Sequence, residues 1–126
     1  MVKRNREEAT LQTQLIKALP AMLPRGAFFF AVPNGGKRGK IEAANLKRQG
    51  VRAGVPDIII IHHGKAYGLE LKSPKGTISD SQEEVFPLLR AAGMPIEIIR
   101  SLDDAMTAIG EFFRRPFSFS ETRSAA

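Results

Sequence analysis

Apolar residues recur along the first part of the chain at the spacing of an amphipathic helix. In residues 7–19 they follow an i, i+4, i+5, i+8 stripe made of Leu11, Leu15, Ile16 and Leu19. This stripe predicts a helix with one face against a core. Pro20 and Pro24 follow it, and we expect them to end the helix because proline lacks the backbone donor.

Four short segments have the character of strands. Residues 27–33 (AFFFAVP) are strongly apolar, and Gly26 and the turn sequence Asn34-Gly35-Gly36 bound them, which predicts a buried strand. Residues 57–62 and 66–72 predict two strands joined through His63-Gly64-Lys65 as a hairpin. The β-branched run at 95–100 (PIEIIR) predicts the fourth.

Sequence signals typical of helix termini predict three further helices. Residues 41–49 are compatible with a short helix that closes at Gly50. A capping box, Ser79-x-x-Gln82, opens a helix that runs toward Ala92, and Pro87 inside it is expected to kink or restart that helix. Ser101-x-x-Asp104 caps the last helix, whose predicted apolar side contains Leu102, Ala105, Met106, Ile109, Phe112 and Phe113.

The order of these elements predicts the fold class. Helix, strand, helix, strand, strand, helix, strand, helix indicates an α/β sandwich with strands of mixed direction. The sequence contains no internal repeat and no linker, so we expect one domain over residues 1–115. The small polar tail at 116–126 is expected to be frayed.

Composition narrows the class of protein. Hydrophobic residues make up 43% and charged residues 25% of the 126 positions, which is typical of a globular domain. The absence of cysteine excludes disulfides and thiolate zinc sites and slightly favours an intracellular protein. No apolar run reaches the roughly 18 residues of a membrane span, and residues 1–10 lack the core of a signal peptide. We therefore expect a soluble, cytoplasmic protein without a membrane partner.

Charge points to a polyanionic partner. Nineteen Lys and Arg against thirteen Asp and Glu give a net charge of +6, and nucleic acid is the commonest partner of such a surface. A merely soluble basic protein is the alternative. Residues 37–52 concentrate the positive charge, and we interpret them as a surface that follows the phosphate backbone or, alternatively, as a solvated helix face. Its basic residues are Lys37, Arg38, Lys40, Lys47, Arg48 and Arg52. No aromatic residues are interleaved with them, so recognition should be of backbone and shape rather than of bases.

The hairpin brings chemistry-bearing residues together if its turn is short. With His63-Gly64 as a two-residue turn, His62 pairs with Lys65 and the same register places Asp57 opposite Glu70. Because side chains alternate along a strand, Lys72 shares the face of Glu70, and Leu71 points to the other face. A three-residue turn would shift this register by one residue.

Two carboxylates on one face predict a metal site. Asp57 and Glu70, together with a backbone carbonyl that we assign to Leu71, suit a hard cation such as Mg²⁺. Mg²⁺ there would activate water and neutralise charge in phosphodiester hydrolysis, and Lys72 would orient or help deprotonate the water. The alternative is that Glu70 and Lys72 form an exposed ion pair on an edge strand and that Asp57 ends a turn. We favour the metal site because polar groups beside apolar strands are costly unless they are used.

Five motifs in series resemble a known family. They are Glu8-x-x-x-Gln12, Pro33-Asn34-Gly35-Gly36, Gly54-Val55-Pro56-Asp57, Glu70-Leu71-Lys72 and Ser79-Asp80-Ser81-Gln82. In this order they resemble the VRR-NUC domain family of the PD-(D/E)XK nuclease superfamily, of the small stand-alone type found in phages and bacteria. The resemblance covers roughly residues 8–113. Pro87 departs from the pattern, and Arg52 is followed by Ala53 where the family has a second arginine.

The resemblance implies both a fold and an activity. The fold would be a three-layer α/β/α sandwich around a mixed sheet, with the PD-(D/E)XK core. The activity would be a Mg²⁺-dependent endonuclease, with Mn²⁺ able to substitute, that cuts DNA in a structure-selective, resolvase-like manner as a homodimer. A nucleic-acid-binding module that never cleaves, or a structural subunit of a phage or repair assembly, are the rival hypotheses.

The resemblance also assigns roles to individual residues. Asp57 and Glu70 would be metal ligands and Lys72 the catalytic lysine. Glu8 matches a glutamate that reaches the site from the first helix, although the helix macrodipole alone would favour an acid there. Gln82 matches a glutamine near the site, although it is also simply the second half of a capping box. Asn34 would either contact the site and its DNA or only form a turn with its glycine neighbours.

Overall fold

The computed structural model describes residues 2–33 and 39–114, and in these ranges the elements follow the predicted order. The tail predicted at 116–126 lies outside the described residues. The helices are α1 (Val2–Met22), α2 (Lys40–Arg48), α3 (Asp80–Ala91) and α4 (Leu102–Phe113). The strands are β1 (Phe28–Ala31), β2 (Ile58–His62), β3 (Lys65–Leu71) and β4 (Ile96–Ile99).

The strands form one mixed sheet in the order β1-β2-β3-β4. β1 and β2 are antiparallel, β2 and β3 are antiparallel, and β3 and β4 are parallel. The prediction of mixed strand direction is therefore confirmed. β3 lies between two neighbours, so both of its edges are protected by backbone hydrogen bonds.

The β2–β3 hairpin has the two-residue turn on which the predicted register depends. His63 and Gly64 have φ values of 50° and 77°, and two successive positive φ angles are the mark of a type I′ turn. His62 pairs with Lys65, and Ile58 pairs with Leu69 at the other end. The ladder ends at this pair, next to Asp57 and Glu70, so the register from which we predicted that these two residues face each other is confirmed.

The sheet separates two helical layers. α1 and α4 cover one face, and their buried side chains form a single apolar cluster with those of β2, β3 and β4. This core contains Leu11, Leu15, Leu19, Ile58, Ile60, Tyr67, Leu69, Leu71, Ile99, Ala105, Ala108 and Ile109. α3 lies on the face that carries Glu70 and buries Val85 and Phe86 there. The three-layer α/β/α sandwich is thus confirmed, and none of the described helices is long and apolar enough to cross a membrane.

β1 is less buried than its composition predicts. Phe28 is 66% exposed, Phe30 is 41% exposed, and Ile61, which pairs with Phe28, is also 41% exposed. These side chains share a face, since cross-strand partners point the same way. Phe29 points to the opposite face and packs against the core. The prediction of a buried strand was wrong because β1 lies at the edge of the sheet, and its face with Phe28 and Phe30 is open to solvent.

Helix lengths and faces differ from prediction at three points. α1 continues through Pro20 to Met22, because an exposed proline near the end removes only its own backbone hydrogen bond and the Leu23 N–H still donates to the Leu19 carbonyl. α3 runs without a break past Pro87, which is exposed. Met106 was predicted on the apolar side of α4, but it is exposed, and Ala108 is buried instead.

Candidate metal centre

Asp57 directly precedes β2 and is held from two sides. Its backbone carbonyl accepts a hydrogen bond from the Val32 N–H (2.8 Å), just beyond the end of β1. Its side-chain Oδ2 accepts from the Leu71 N–H (2.9 Å) at the end of β3. The Asp57 carboxylate therefore lies between the first residue of β2 and the last residue of β3.

Two glycines allow the segment before Asp57 to approach so closely. A Cβ at Gly68, in the middle of β3, would lie 2.7 Å from Pro56 Cγ, so Pro56 packs directly over this position. Gly54 has a φ of +88°, and a Cβ there would lie 2.5 Å from the Ser81 carbonyl oxygen at the start of α3. Sequence reasoning missed this packing role of Gly68. A glycine inside a strand was the available signal, since it often marks the close approach of another backbone.

Glu70 is a buried carboxylate with one free oxygen. The residue is 2% exposed. Its Oε2 accepts a hydrogen bond from Gln82 Nε2 (2.6 Å) and lies 3.4 Å from Lys72 Nζ. Its Oε1 is buried without a hydrogen-bond partner. The alternative of an exposed ion pair on an edge strand is wrong, because β3 is internal and Lys72 is only 6% exposed.

The capping box of α3 fixes how Gln82 faces Glu70. Gln82 Oε1 accepts from the Ser79 N–H (2.9 Å), and the Gln82 N–H donates to Ser79 Oγ (3.2 Å). With its oxygen committed to Ser79, the side-chain amide turns its NH₂ group toward Glu70. Gln82 is thus both the capping residue and a neighbour of the candidate metal ligand. Its contribution to catalysis stays a prediction.

Burial and a second carboxylate dominate the electrostatics of Glu70. Its pKa is raised from 4.5 to about 7, first by the loss of solvation on burial and second by the negative charge of Asp57. The hydrogen bond from Gln82 and the neighbouring Lys72 act in the opposite direction and lower the pKa. Without a further positive charge, the two carboxylates are therefore costly to ionise together.

The donor atoms fit a hard cation. Leu71 directs its N–H to Asp57, and in an extended strand a residue's N–H and C=O point to the same side, so its carbonyl also faces the Asp57 side of β3. Asp57, Glu70 and this carbonyl would offer a cation oxygen ligands only, which is the donor set that Mg²⁺ prefers. The described residues contain no group of three or more His, Asp or Glu suited to a metal, so Glu8, which is half-buried on α1, does not complete such a group. The role of Glu8 stays a prediction.

The basic residues predicted to contact nucleic acid are partly described. Lys40, Lys47 and Arg48 on α2, and Arg52 just after it, are all exposed. α2 buries none of its residues, and Arg48 donates a hydrogen bond to Asn45 Oδ1 on the same helix. Asn34, Lys37 and Arg38 lie outside the described residues. The described cations are thus accessible to a polyanion.

Comparison with known proteins identifies the family. The sequence model of the VRR-NUC domain matches residues 8–103 of the chain. The chain belongs to the VRR-NUC domain family. It is therefore a nuclease-type domain, and the resemblance drawn from its five motifs is confirmed.

Two solved structures show the same fold. A "VRR_NUC domain protein" is 23% identical, superposes with a TM-score of 0.68, and the match covers 86% of this chain and 88% of that one. A "VRR_NUC domain" is 16% identical with a TM-score of 0.57, and the match covers 85% and 97% of the two chains. No curated protein matches the sequence significantly.

The raised pKa of Glu70 makes the stability of this VRR-NUC domain depend on pH when metal is removed. Folded Glu70 binds a proton up to about pH 7, whereas the unfolded carboxyl loses it near 4.5. Its contribution is thus fully present below pH 4.5 and is lost as the pH rises through 7, a decrease of about 3 kcal/mol in the free energy of unfolding. We expect denaturant unfolding in EDTA at pH 4.5 and pH 8 to show this loss in the wild type but not in Glu70→Gln.

A matched control is Glu97→Gln, which changes an exposed glutamate on the adjacent strand. It should keep the pH dependence of the wild type. Parallel pH profiles for Glu70→Gln and the wild type would contradict the raised pKa.

Proposed function

We propose that this VRR-NUC domain is a Mg²⁺-dependent endonuclease that hydrolyses phosphodiester bonds in DNA and prefers branched substrates, with Mn²⁺ able to replace Mg²⁺. The observation that carries the proposal is the buried, unpartnered Oε1 of Glu70 beside Asp57. An unpaired buried carboxylate oxygen costs free energy in a purely structural role. A divalent cation between the two carboxylates would remove that cost.

The protein residues around the carboxylates suit hydrolysis of a phosphodiester. When bound, Mg²⁺ supplies charge neutralisation for the phosphate and lowers the pKa of water. Gln82 occupies Oε2 of Glu70 and so leaves Oε1 as the oxygen available for a ligand. Lys72, buried next to Glu70, would orient the attacking water and stabilise the extra negative charge on the phosphate in the transition state. Glu8 would approach the same site from α1.

The exposed basic residues support DNA as the substrate. Lys40, Lys47, Arg48 and Arg52 offer charge without stacking aromatics, which suits recognition of the phosphate backbone rather than of bases. A binding module that never cleaves, or a structural subunit of an assembly, would also use this charge. Binding or a structural role alone would not require two carboxylates and a lysine close together at the end of β3. Cleavage is therefore the better proposal.

The metal assignment is tested by Asp57→Asn. At pH 8, calorimetric titration with Mn²⁺ should show binding to the wild type and none to Asp57→Asn, because one of the two anionic ligands is then neutral. Asp103→Asn, an exposed aspartate on α4, is the control and should bind Mn²⁺ like the wild type. Circular dichroism should show that both variants are folded. Unchanged Mn²⁺ binding in Asp57→Asn would contradict the assignment of Asp57 as a metal ligand.

The role of Lys72 is tested by separating cleavage from binding. Lys72→Ala should reduce Mg²⁺-dependent plasmid nicking by at least about a hundredfold, the lower range for loss of a proton-transfer group. Mn²⁺ binding and most of the DNA affinity should remain, because one lysine contributes only about one unit of salt slope. Lys65→Ala, an exposed lysine at the far end of the same strand, should nick like the wild type. Nicking by Lys72→Ala within a few-fold of the wild type means that this lysine is structural.

We also propose that the domain works as a homodimer. Two copies would present two sites to strands of opposite polarity, and their 37–52 stretches would form one positive channel. Exposed Phe28, Phe30 and Ile61 support self-association, because apolar patches often mark protein interfaces. Sedimentation at micromolar concentration, with and without a four-way junction, should show the dimer. A strict monomer that cuts single strands as well as junctions would refute the resolvase-like hypothesis and leave a simpler nicking nuclease.

A further inference from the structure

A tight turn separates Lys72 from the helix that carries Gln82. The Gly76 N–H donates to the Ser73 carbonyl (2.9 Å), which closes a four-residue turn immediately after Lys72. Pro74 and Gly76 occupy its second and fourth positions, where a type I turn favours these residues. Three residues later, Ser79 begins the capping box of α3. The turn is therefore part of the short connection between Lys72 and Gln82.

One arginine holds both ends of the turn. Arg100 Nη1 donates to the Ser73 carbonyl (2.8 Å) and to the Gly76 carbonyl (2.6 Å). Hydrogen bonds from a charged donor are stronger than those from a neutral one. The sequence gives no hint of these contacts, since Arg100 is 27 and 24 residues away from its partners.

Arg100 is itself fixed where β4 passes into α4. Its backbone N–H donates to Asp104 Oδ2 (2.9 Å), and the neighbouring Ser101 caps α4 by accepting from the Asp104 N–H. The preceding residue, Ile99, accepts from the Lys72 N–H (3.0 Å) through its carbonyl. The guanidinium therefore extends from a well-anchored backbone to the turn that follows Lys72.

We propose that Arg100 is a positioning residue that holds Lys72 and Gln82 in place around Glu70. As a statement about the reaction, this inference rests on the proposed nuclease function. Lys72 and Gln82 are the residues on the two sides of the turn, and both contact Glu70 Oε2. Glu70, by contrast, lies within the β3–β4 ladder opposite Ile98, and Asp57 Oδ2 accepts from the Leu71 N–H. Loss of Arg100 should therefore disturb the reaction rather than metal binding.

The competing role for Arg100 is direct contact with DNA. The residue is exposed and borders an open cavity together with Arg6 and Pro74. A phosphate contact would contribute to affinity and to its salt dependence, whereas a positioning role would contribute to the rate at saturation. The two roles therefore differ in what a substitution changes.

The experiment compares two arginines that each donate to backbone carbonyls. Arg90 Nη2 donates to the Ile96 carbonyl (2.9 Å) at the start of β4, away from the turn, so Arg90→Gln removes the same charge as Arg100→Gln. For each variant and the wild type we would measure the single-turnover cleavage rate at saturation, the DNA Kd and its salt slope, and the Mn²⁺ Kd. Arg100→Gln should cleave roughly tenfold more slowly, since small displacements of catalytic groups cost large factors in rate. Both Kd values and the salt slope should stay within about twofold of the wild type.

The controls define what overturns the inference. Arg90→Gln should cleave like the wild type, and Arg100→Lys should recover part of the rate because its ammonium can still donate to a carbonyl. Weaker DNA binding with a salt slope lower by about one and an unchanged rate would make Arg100 a phosphate contact. An unchanged rate with unchanged Kd values would leave it without a role, and loss of Mn²⁺ binding would place its effect on Asp57 and Glu70 instead.

Hydrogen exchange separates this inference from the proposed function. Arg100→Gln should accelerate exchange of the Gly76 and Gln82 amides, which lie in the turn and the capping box, and Arg90→Gln should not. If the wild type cleaves no DNA with Mg²⁺, the proposed function fails, and this exchange still decides whether Arg100 holds the turn. Unchanged exchange in Arg100→Gln would overturn the inference whatever the activity. Arg100→Lys serves the same comparison if Arg100→Gln does not fold.

Discussion

The buried carboxylate of Glu70 is the constraint on which the rest of the site depends. Placing a charge on an internal strand costs several kcal/mol unless nearby groups compensate. Here an amide and an ammonium both act on Oε2, and Oε1 is left without a donor. The nearby Asp57 carboxylate increases the cost, as the raised pKa of Glu70 shows. The arrangement is therefore costly for the protein alone, and the cation that we propose would offset that cost.

Two glycines, which lack a side chain, are as important to the site as its polar residues. Glycine weakens a strand, yet Gly68 sits in the middle of β3 because Pro56 occupies the space above it. Gly54 adopts a backbone conformation that other residues rarely adopt and lets the start of α3 approach the segment before Asp57. At Gly68 the Pro56 ring packs against the strand backbone, and at Gly54 the backbone of α3 packs against the loop backbone. This close packing of the backbone adds to the hydrogen bonds that the Asp57 and Gln82 side chains make with the Leu71 and Ser79 N–H groups.

Local rules explain which parts of the fold were predictable. The hairpin register followed from His63-Gly64 and the period of two, and both helix caps followed from serine spacing, because each depends on residues close in sequence. Burial of β1 could not be predicted, because it depends on whether a distant helix extends over that edge. Pro20 was misjudged because the cost of a helical proline depends on its exposure and on how little helix follows.

The site divides in the same way. The pairing of Asp57 with Glu70 was accessible from the sequence, since it is a consequence of register. The contact between Gln82 and Glu70 could not be predicted from physical reasoning alone. The capping box depends on neighbouring residues, but Gln82 and Glu70 are twelve residues apart in the sequence. Only the family resemblance pointed to it. Neither a local sequence pattern nor the family resemblance pointed to the contacts of Arg100.

This division reflects two ways of holding polar groups. Glu70 lies within the β3–β4 ladder, and Asp57 is bonded to the backbone N–H groups of Val32 and Leu71, so the sheet backbone holds both carboxylates. Gln82 and Arg100 are placed by helix starts, where Ser79 and Ser101 satisfy free backbone N–H groups and decide where the first turn begins. Each cap involves only a few bonds and lies near the surface. The carboxylates are therefore held by the hydrogen-bonded sheet, whereas Gln82 and Arg100 depend on a few bonds at helix ends, which is where local opening is expected to cost least.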